Sequence, residues 1–169
     1  MQLEKLIEEV MLAVASRSKK ALHTALIALD DSQLLENRIP PQVLDIYLWL
    51  LSDGDAISAP GVDKVFVNFT GDIHKYSHEQ ISDLISTIDA NRDAYKSQAL
   101  RMAATDFVAR NGEVGLALAI FERWASSGDE ISHQMAEAGI DILLRGSRIL
   151  DIEMRKKAEM LRDSLMRSG

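Results

Sequence analysis

The chain has no cysteine. That excludes disulfides, thiolate metal sites and cysteine nucleophiles, and it agrees with a cytoplasmic location. Turn-formers are scarce, with 9 Gly and 3 Pro in 169 residues, and only 5% of residues are aromatic. So few leave little room for the many tight turns of an all-β fold. No apolar run reaches the roughly 20 residues that a membrane span needs. The opening stretch, MQLEKLIEEVMLAVAS, carries Glu4, Glu8 and Glu9 where a secretory leader would be basic, so it reads as the first helix of the domain. The glycines make no phosphate cradle: GEVG at 112–115 is neither a Walker loop nor a dinucleotide fingerprint. No serine stands in a nucleophile elbow. DGD at 53–55 lacks the further oxygens and the closing Glu of an EF-hand loop.

What is present is globular and helical. The composition is 47% hydrophobic and 27% charged, as expected for a packed domain rather than a disordered chain. Leu3, Leu6, Ile7, Val10, Met11 and Val14 fall on one face of a helix, and Ala21, Leu22, Ala25, Leu26 and Leu29 repeat the pattern after the polar break SRSKK. In RIPPQVLDIYLWLLSDG, Pro41 suits a first helical position and Gly54 a stop. Between them the helix is apolar nearly all round, which places Leu48 and Trp49 in the middle of the stack. The segment at about 53–61 is the clearest loop. In KVFVNFTGD the residues Val65, Val67 and Phe69 alternate as in a strand, but no second strand exists to pair with it, so 64–70 is assigned as a short helix.

From residue 77 the stripes are helical again. They run through Ile81, Leu84, Ile85 and Ile88, then Leu100, Ala103, Ala104, Phe107 and Val108 up to Gly112, which suits a left-handed cap. Next come Val114, Ala117, Ile120, Phe121 and Trp124, and after SSGDE the stripe Ile131, Met135, Ala138, Ile142 and Leu143. The last helix uses Leu150, Met154, Leu161 and Leu165 and has a basic final third. The expected architecture is a single all-α domain over 1–169, with about eight or nine helices in antiparallel hairpins.

AATDFVARNG at 103–112 lies over AGIDILLRGS at 138–147 with an offset of 35, pairing Asp106 with Asp141 and Arg110 with Arg145. With ALRMAATDFVARNG, this stretch resembles HEAT-type helical repeats over about residues 99–147. The resemblance implies an α-solenoid-like array, which offers a broad binding surface.

GDIHKYSHEQIS at 71–82 holds Asp72, His74 and His78. Histidines at i and i+4 share a metal when both stand on one helix. Here Ser77 followed by Gln80 reads as a capping box, with Tyr76 and Ile81 at the positions of a hydrophobic staple. The helix therefore starts at 78, His74 lies before it, and the helical ligand geometry does not apply. His23 and His133 stand alone in their helices. No cofactor, metal ligand or catalytic residue is assigned.

Net charge is −7, unevenly spread. Residues 51–100 hold eight acids and four bases, and residues 151–169 hold four acids and five bases. An acidic body disfavours nucleic acid or an anionic membrane as partner and permits a basic protein. The acids Asp53, Asp55, Asp63, Asp72, Glu79 and Asp83 mark the expected partner face, and Glu79 and Asp83 are like charges at i,i+4. The leading expectation is a non-catalytic protein-binding module, in particular an inhibitor or immunity-type protein that neutralises a basic toxin or effector. The alternatives are a helical-repeat adaptor or chaperone with an apolar groove, and a metal-dependent enzyme using His74 and His78.

Overall fold

The computed structural model describes residues 2–168 and is all-α: ten α-helices follow one another, with no strand among the described residues. Contacts divide the chain into two compact units, Met1–Leu100 and Arg101–Gly169.

In the first unit α1 (Gln2–Ser16) and α2 (Lys19–Asp31) pack together. SRSKK forms a turn of two residues between them. Arg17 takes φ +58, and Ser18 caps α2 by accepting the Ala21 N–H on its Oγ at 3.1 Å. On α2 the face read from periodicity is the one that closes, with Leu22, Ala25, Leu26 and Leu29 buried. On α1 Val10 and Val14 of the expected stripe are buried together with Ala13, which was not in it, while Leu3, Leu6 and Ile7 are half-buried. Each buried leucine contributes about 1.5–3 kcal/mol. Met11, expected on the α1 stripe, is instead 45% exposed.

Helix α3 (Pro41–Ser52) starts at Pro41 as predicted, but it is not covered all round. Val43, Leu44, Ile46, Tyr47, Leu50 and Leu51 are buried. At 100° per residue they fall in one arc, with exposed Asp45 and Ser52 opposite. Leu48 and Trp49 lie at the two edges of that arc and are only half-buried, which corrects their central placement. Gly54 does not stop α3 either. Asp53 turns the chain in extended backbone, and Gly54 opens a short helix, α4 (Gly54–Ile57), inside what reads as a loop.

Helix α5 (Val65–Asp72) buries Val65, Phe66, Asn68 and Phe69 and leaves Val67 65% exposed, so the alternating pattern is a helix. The Phe69 ring meets Tyr47 edge-on at 5.0 Å and Phe66 at 5.1 Å. Asn68 Nδ2 donates to the Leu26 carbonyl and to the Tyr47 hydroxyl, each at 3.1 Å, tying α5 to α2 and α3. Helix α6 (His78–Asn91) packs on α3 and begins with the predicted capping box. Gln80 N–H donates to Ser77 Oγ at 3.1 Å, and Ser77 N–H donates to Gln80 Oε1 at 2.9 Å. Ser77→Ala is expected to lower stability by about 0.5–2 kcal/mol, because it strands a helix N–H. A urea melt displaced by less than a few tenths of a kcal/mol would show the cap to be dispensable. After α6 the buried Tyr95 hydroxyl donates to the Leu51 carbonyl at 2.8 Å.

The second unit holds most of α7 (Gln98–Asn111), then α8 (Val114–Ala125), α9 (Glu130–Arg145) and α10 (Ile152–Ser168). Gly112 donates its N–H to the Val108 carbonyl at 3.1 Å to close α7, whereas left-handed backbone is found at Gly61 and Gly128. Helices α8, α9 and α10 pack on one another. The buried face of α9 is Ser132, Met135, Ala136, Gly139, Ile140 and Leu143, rotated from the stripe expected through Ile131, Ala138 and Ile142. The rotation follows from packing. Gly139 stands so close to the Phe121 ring of α8 that a Cβ there would lie 2.5 Å from Cε1 and 2.8 Å from Cε2. Small residues, not the bulkiest ones, bring α9 against α8. The last helix buries Ala158 and Leu165. Leu150, expected in it, precedes its first turn.

Candidate functional site

The predicted acids do not share one surface. Glu79 and Asp83 are exposed on α6, with no ion pair to either among the described residues, and Asp63 is half-buried in the turn before α5. Asp53 precedes α4 and Asp55 stands in its first turn. Asp53 is its N-cap, its Oδ1 accepting the N–H groups of Asp55 at 3.0 Å and Ala56 at 3.2 Å. Asp72 belongs to neither surface. Its side chain is 13% exposed and pairs with Lys75 Nζ at 3.0 Å.

That pair is part of a partly buried polar cluster joining the ends of α2 and α5. Lys75 Nζ also donates to the Gln33 carbonyl at 2.8 Å, and Asp30 bonds to Asp72 through its carboxyl group. Burial first, then the hydrogen bond and the charge of Asp72, and Asp31 behind them, push the Asp30 carboxyl up to about 6, while Lys75 opposes the shift. The phenols of Tyr47 and Tyr76 feel the charge of both carboxyls, and desolvation, the larger cause, holds both far above the ordinary phenol range. Asp30 Oδ1, Gln33 Oε1 and the Tyr76 hydroxyl have no hydrogen-bond partner among the described residues. Sequence reasoning had no signal for this cluster, since Asp30 and Gln33 stand about forty positions from Asp72 and Lys75.

The turn around His74 does not assemble a ligand set. Asp72 faces inward, His74 and His78 are exposed, and no group of three or more His, Cys, Asp or Glu could hold a metal ion among the described residues. His23 is exposed and His133 half-buried, each in its own helix.

Of the open grooves among the described residues, three bear on the argument. One, between α8 and α10, has room for about 350 Å³ and is lined by Leu118, Met154, Met160 and Leu161 with Glu122 and Lys157. A second, between α1 and α2, is lined mainly by Leu12 and small residues. The third lies among α1, α3 and α4, has room for about 630 Å³, and brings Met11, Val14, Ala15 and Trp49 beside Asp53 and Asp55. Its rim is fastened by Arg17. That guanidinium donates to the Asp55 carbonyl at 3.1 Å, to Ser58 Oγ at 3.2 Å and to the Ser58 carbonyl at 2.8 Å. Sequence reading found Asp53 and Asp55 but missed Trp49 and Arg17. A helix with only a narrow polar strip, here Asp45 and Ser52, does not reveal which of its apolar edges stays open.

No helix among the described residues is long and apolar enough to cross a membrane. Compared with protein-family models, with curated proteins and with solved structures, the chain matches none.

Proposed function

We propose that the chain is a non-catalytic protein-binding module whose acidic first unit takes a basic protein, as an inhibitor or immunity-type protein neutralising a basic toxin or effector would. The observation that supports this reading is where the charge sits. Residues 1–100 hold fifteen acids and nine bases, and residues 101–169 hold eleven acids and ten bases. The first unit thus carries six of the seven net negative charges. A field of one sign on one compact body accelerates encounter with an oppositely charged partner and repels partners of the same sign. The proposal includes a HEAT-like stacking over residues 99–147. It is supported by the exposed pairs Asp106–Arg110 at 2.7 Å and Asp141–Arg145 at 2.8 Å, which occupy the aligned positions.

The test compares two double reversals. Glu79→Lys with Asp83→Lys changes the exposed acids of α6, and Glu4→Lys with Glu8→Lys makes the same net change on α1. Association with the partner captured from native cells is followed by surface plasmon resonance at low and physiological salt. The α6 reversal is expected to slow association by about tenfold at low salt and to flatten its salt dependence, with little change in dissociation. Equal slowing by both variants would reduce the α6 acids to a solvated face.

A further inference from the structure

We propose that the groove among α1, α3 and α4 is a socket for one arginine side chain of the basic partner. This deepens the reading above and rests on it. The groove joins two chemistries that suit one side chain. Trp49 is half-buried, so part of its ring borders the groove, and Met11 is 45% exposed beside it. Together with Val14 and Ala15 they make an apolar wall for an aliphatic stem, and an indole face attracts a cation placed over it. Asp53 and Asp55 supply two carboxylates in the same groove.

Arginine fits this pairing better than lysine, because a planar guanidinium both stacks on an aromatic ring and reaches carboxylates with a fork of donors. The groove contains one cation of its own, Arg17. Its guanidinium is committed to the Asp55 and Ser58 carbonyls and the Ser58 hydroxyl, and two carboxylates against one guanidinium leave the groove negative. Arg17 also adopts φ +58, a conformation that side-chain-bearing residues rarely take. In that conformation it fastens the α1–α2 turn to α4, so it acts as a positioning residue for the two carboxylates.

The chain contains two tryptophans, and Trp124 is fully buried, so the Trp49 indole gives a local signal. The probe is an acetylated, amidated hexa-arginine peptide, with hexalysine and hexaglutamate as comparisons. It is titrated into the 15N-labelled full chain at low salt. The expected result is movement of the Trp49 indole N–H and of the amides at 53–56, with the Trp124 indole still. Hexa-arginine should bind more tightly than hexalysine, and hexaglutamate not at all. Asp53→Asn with Asp55→Asn keeps the helix cap, since asparagine caps as well as aspartate, and should weaken hexa-arginine by about tenfold. Trp49→Leu should weaken it by at least about threefold and erase the preference over hexalysine. If the peptide binds but moves only resonances near Glu79 and Asp83, unaffected by either variant, the socket is wrong and the acidic first unit still stands as the binding body. If hexa-arginine does not bind at low salt, both the socket and the acidic-unit reading are overturned.

Discussion

Gly139→Ala lowers the stability of the second unit by about 1–3 kcal/mol, against the usual direction for such a change. Alanine in a helix interior normally stabilises by up to about 1 kcal/mol relative to glycine. Here the added methyl would enter the Phe121 ring, whose edge and tip atoms already touch the glycine position. Phe121 is fully buried and leans on Trp124 at 5.4 Å, so the ring cannot swing aside without disturbing a second aromatic. Overpacking of this kind costs more than the helix preference returns. Phe121→Leu removes the blocking ring at the expense of lost packing. In that background Gly139→Ala should become neutral or favourable. The coupling read from the four proteins should lie at about 1–3 kcal/mol. Urea melts followed by fluorescence in a Trp49→Phe background, where Trp124 is the remaining tryptophan, give the numbers. Additive effects, or a stabilised Gly139→Ala single variant, would mean that α9 does not approach α8 through this glycine.

Lys75→Met is the second large effect, expected at about 3–5 kcal/mol near pH 7.5. Lys75 is 8% exposed in its side chain and is the cation that faces both Asp30 and Asp72, with Asp31 behind them. Removing it leaves the nearly buried Asp72 and the half-buried Asp30 without a counter-charge and strands the Gln33 carbonyl that Lys75 holds at 2.8 Å. The loss depends on pH. In the intact protein the Asp30 carboxyl is raised from 3.8 to about 6 on folding, so the folded state binds its proton more tightly than the unfolded state. That contribution to stability is complete below about pH 3.8 and is lost as the pH climbs to about 6. Without Lys75 the window should reach to higher pH, because the one influence that lowers the Asp30 value is gone. The variant is therefore least damaged at the acid end of the range, where Asp30 remains protonated. Asp30→Asn, with a neutral donor at the same place, should remove this pH dependence. Thermal melts from pH 4.5 to 8 decide the matter. A constant deficit for Lys75→Met across that range would show that the carboxyls do not face each other in the core.

Local chemistry was legible wherever one turn of chain contained all its partners. Ser77 and Gln80 are three residues apart, and the side chain of each accepts the other's backbone N–H, so the start of α6 followed from four letters. Pro41 at the head of α3 and the apolar face of α2 are of the same kind. The segment 64–70 could be assigned to a helix because a lone strand has nothing to pair with. The charge count, too, is complete in the sequence.

Only the tertiary structure decided which part of an apolar surface stays open. Periodicity fixes the spacing of a stripe but not its rotation against a neighbour. In α9 the glycine that admits Phe121 set that rotation, and Ile131 and Ile142 were displaced to the margin. In α3 Asp45 and Ser52 mark only a narrow polar strip, and the apolar residues on either side of it did not show that Trp49 would lie at the edge of the buried arc rather than at its centre. The burial of Asp72 and its union with Asp30 and Lys75 depend on bringing the end of α2 to the end of α5. Sequence therefore determined an acidic, all-helical chain with well-defined helix starts. The packing of one helix against another determined which acids became core, which remained surface, and which came to lie beside an aromatic ring, because those outcomes depend on contacts between residues far apart in the chain.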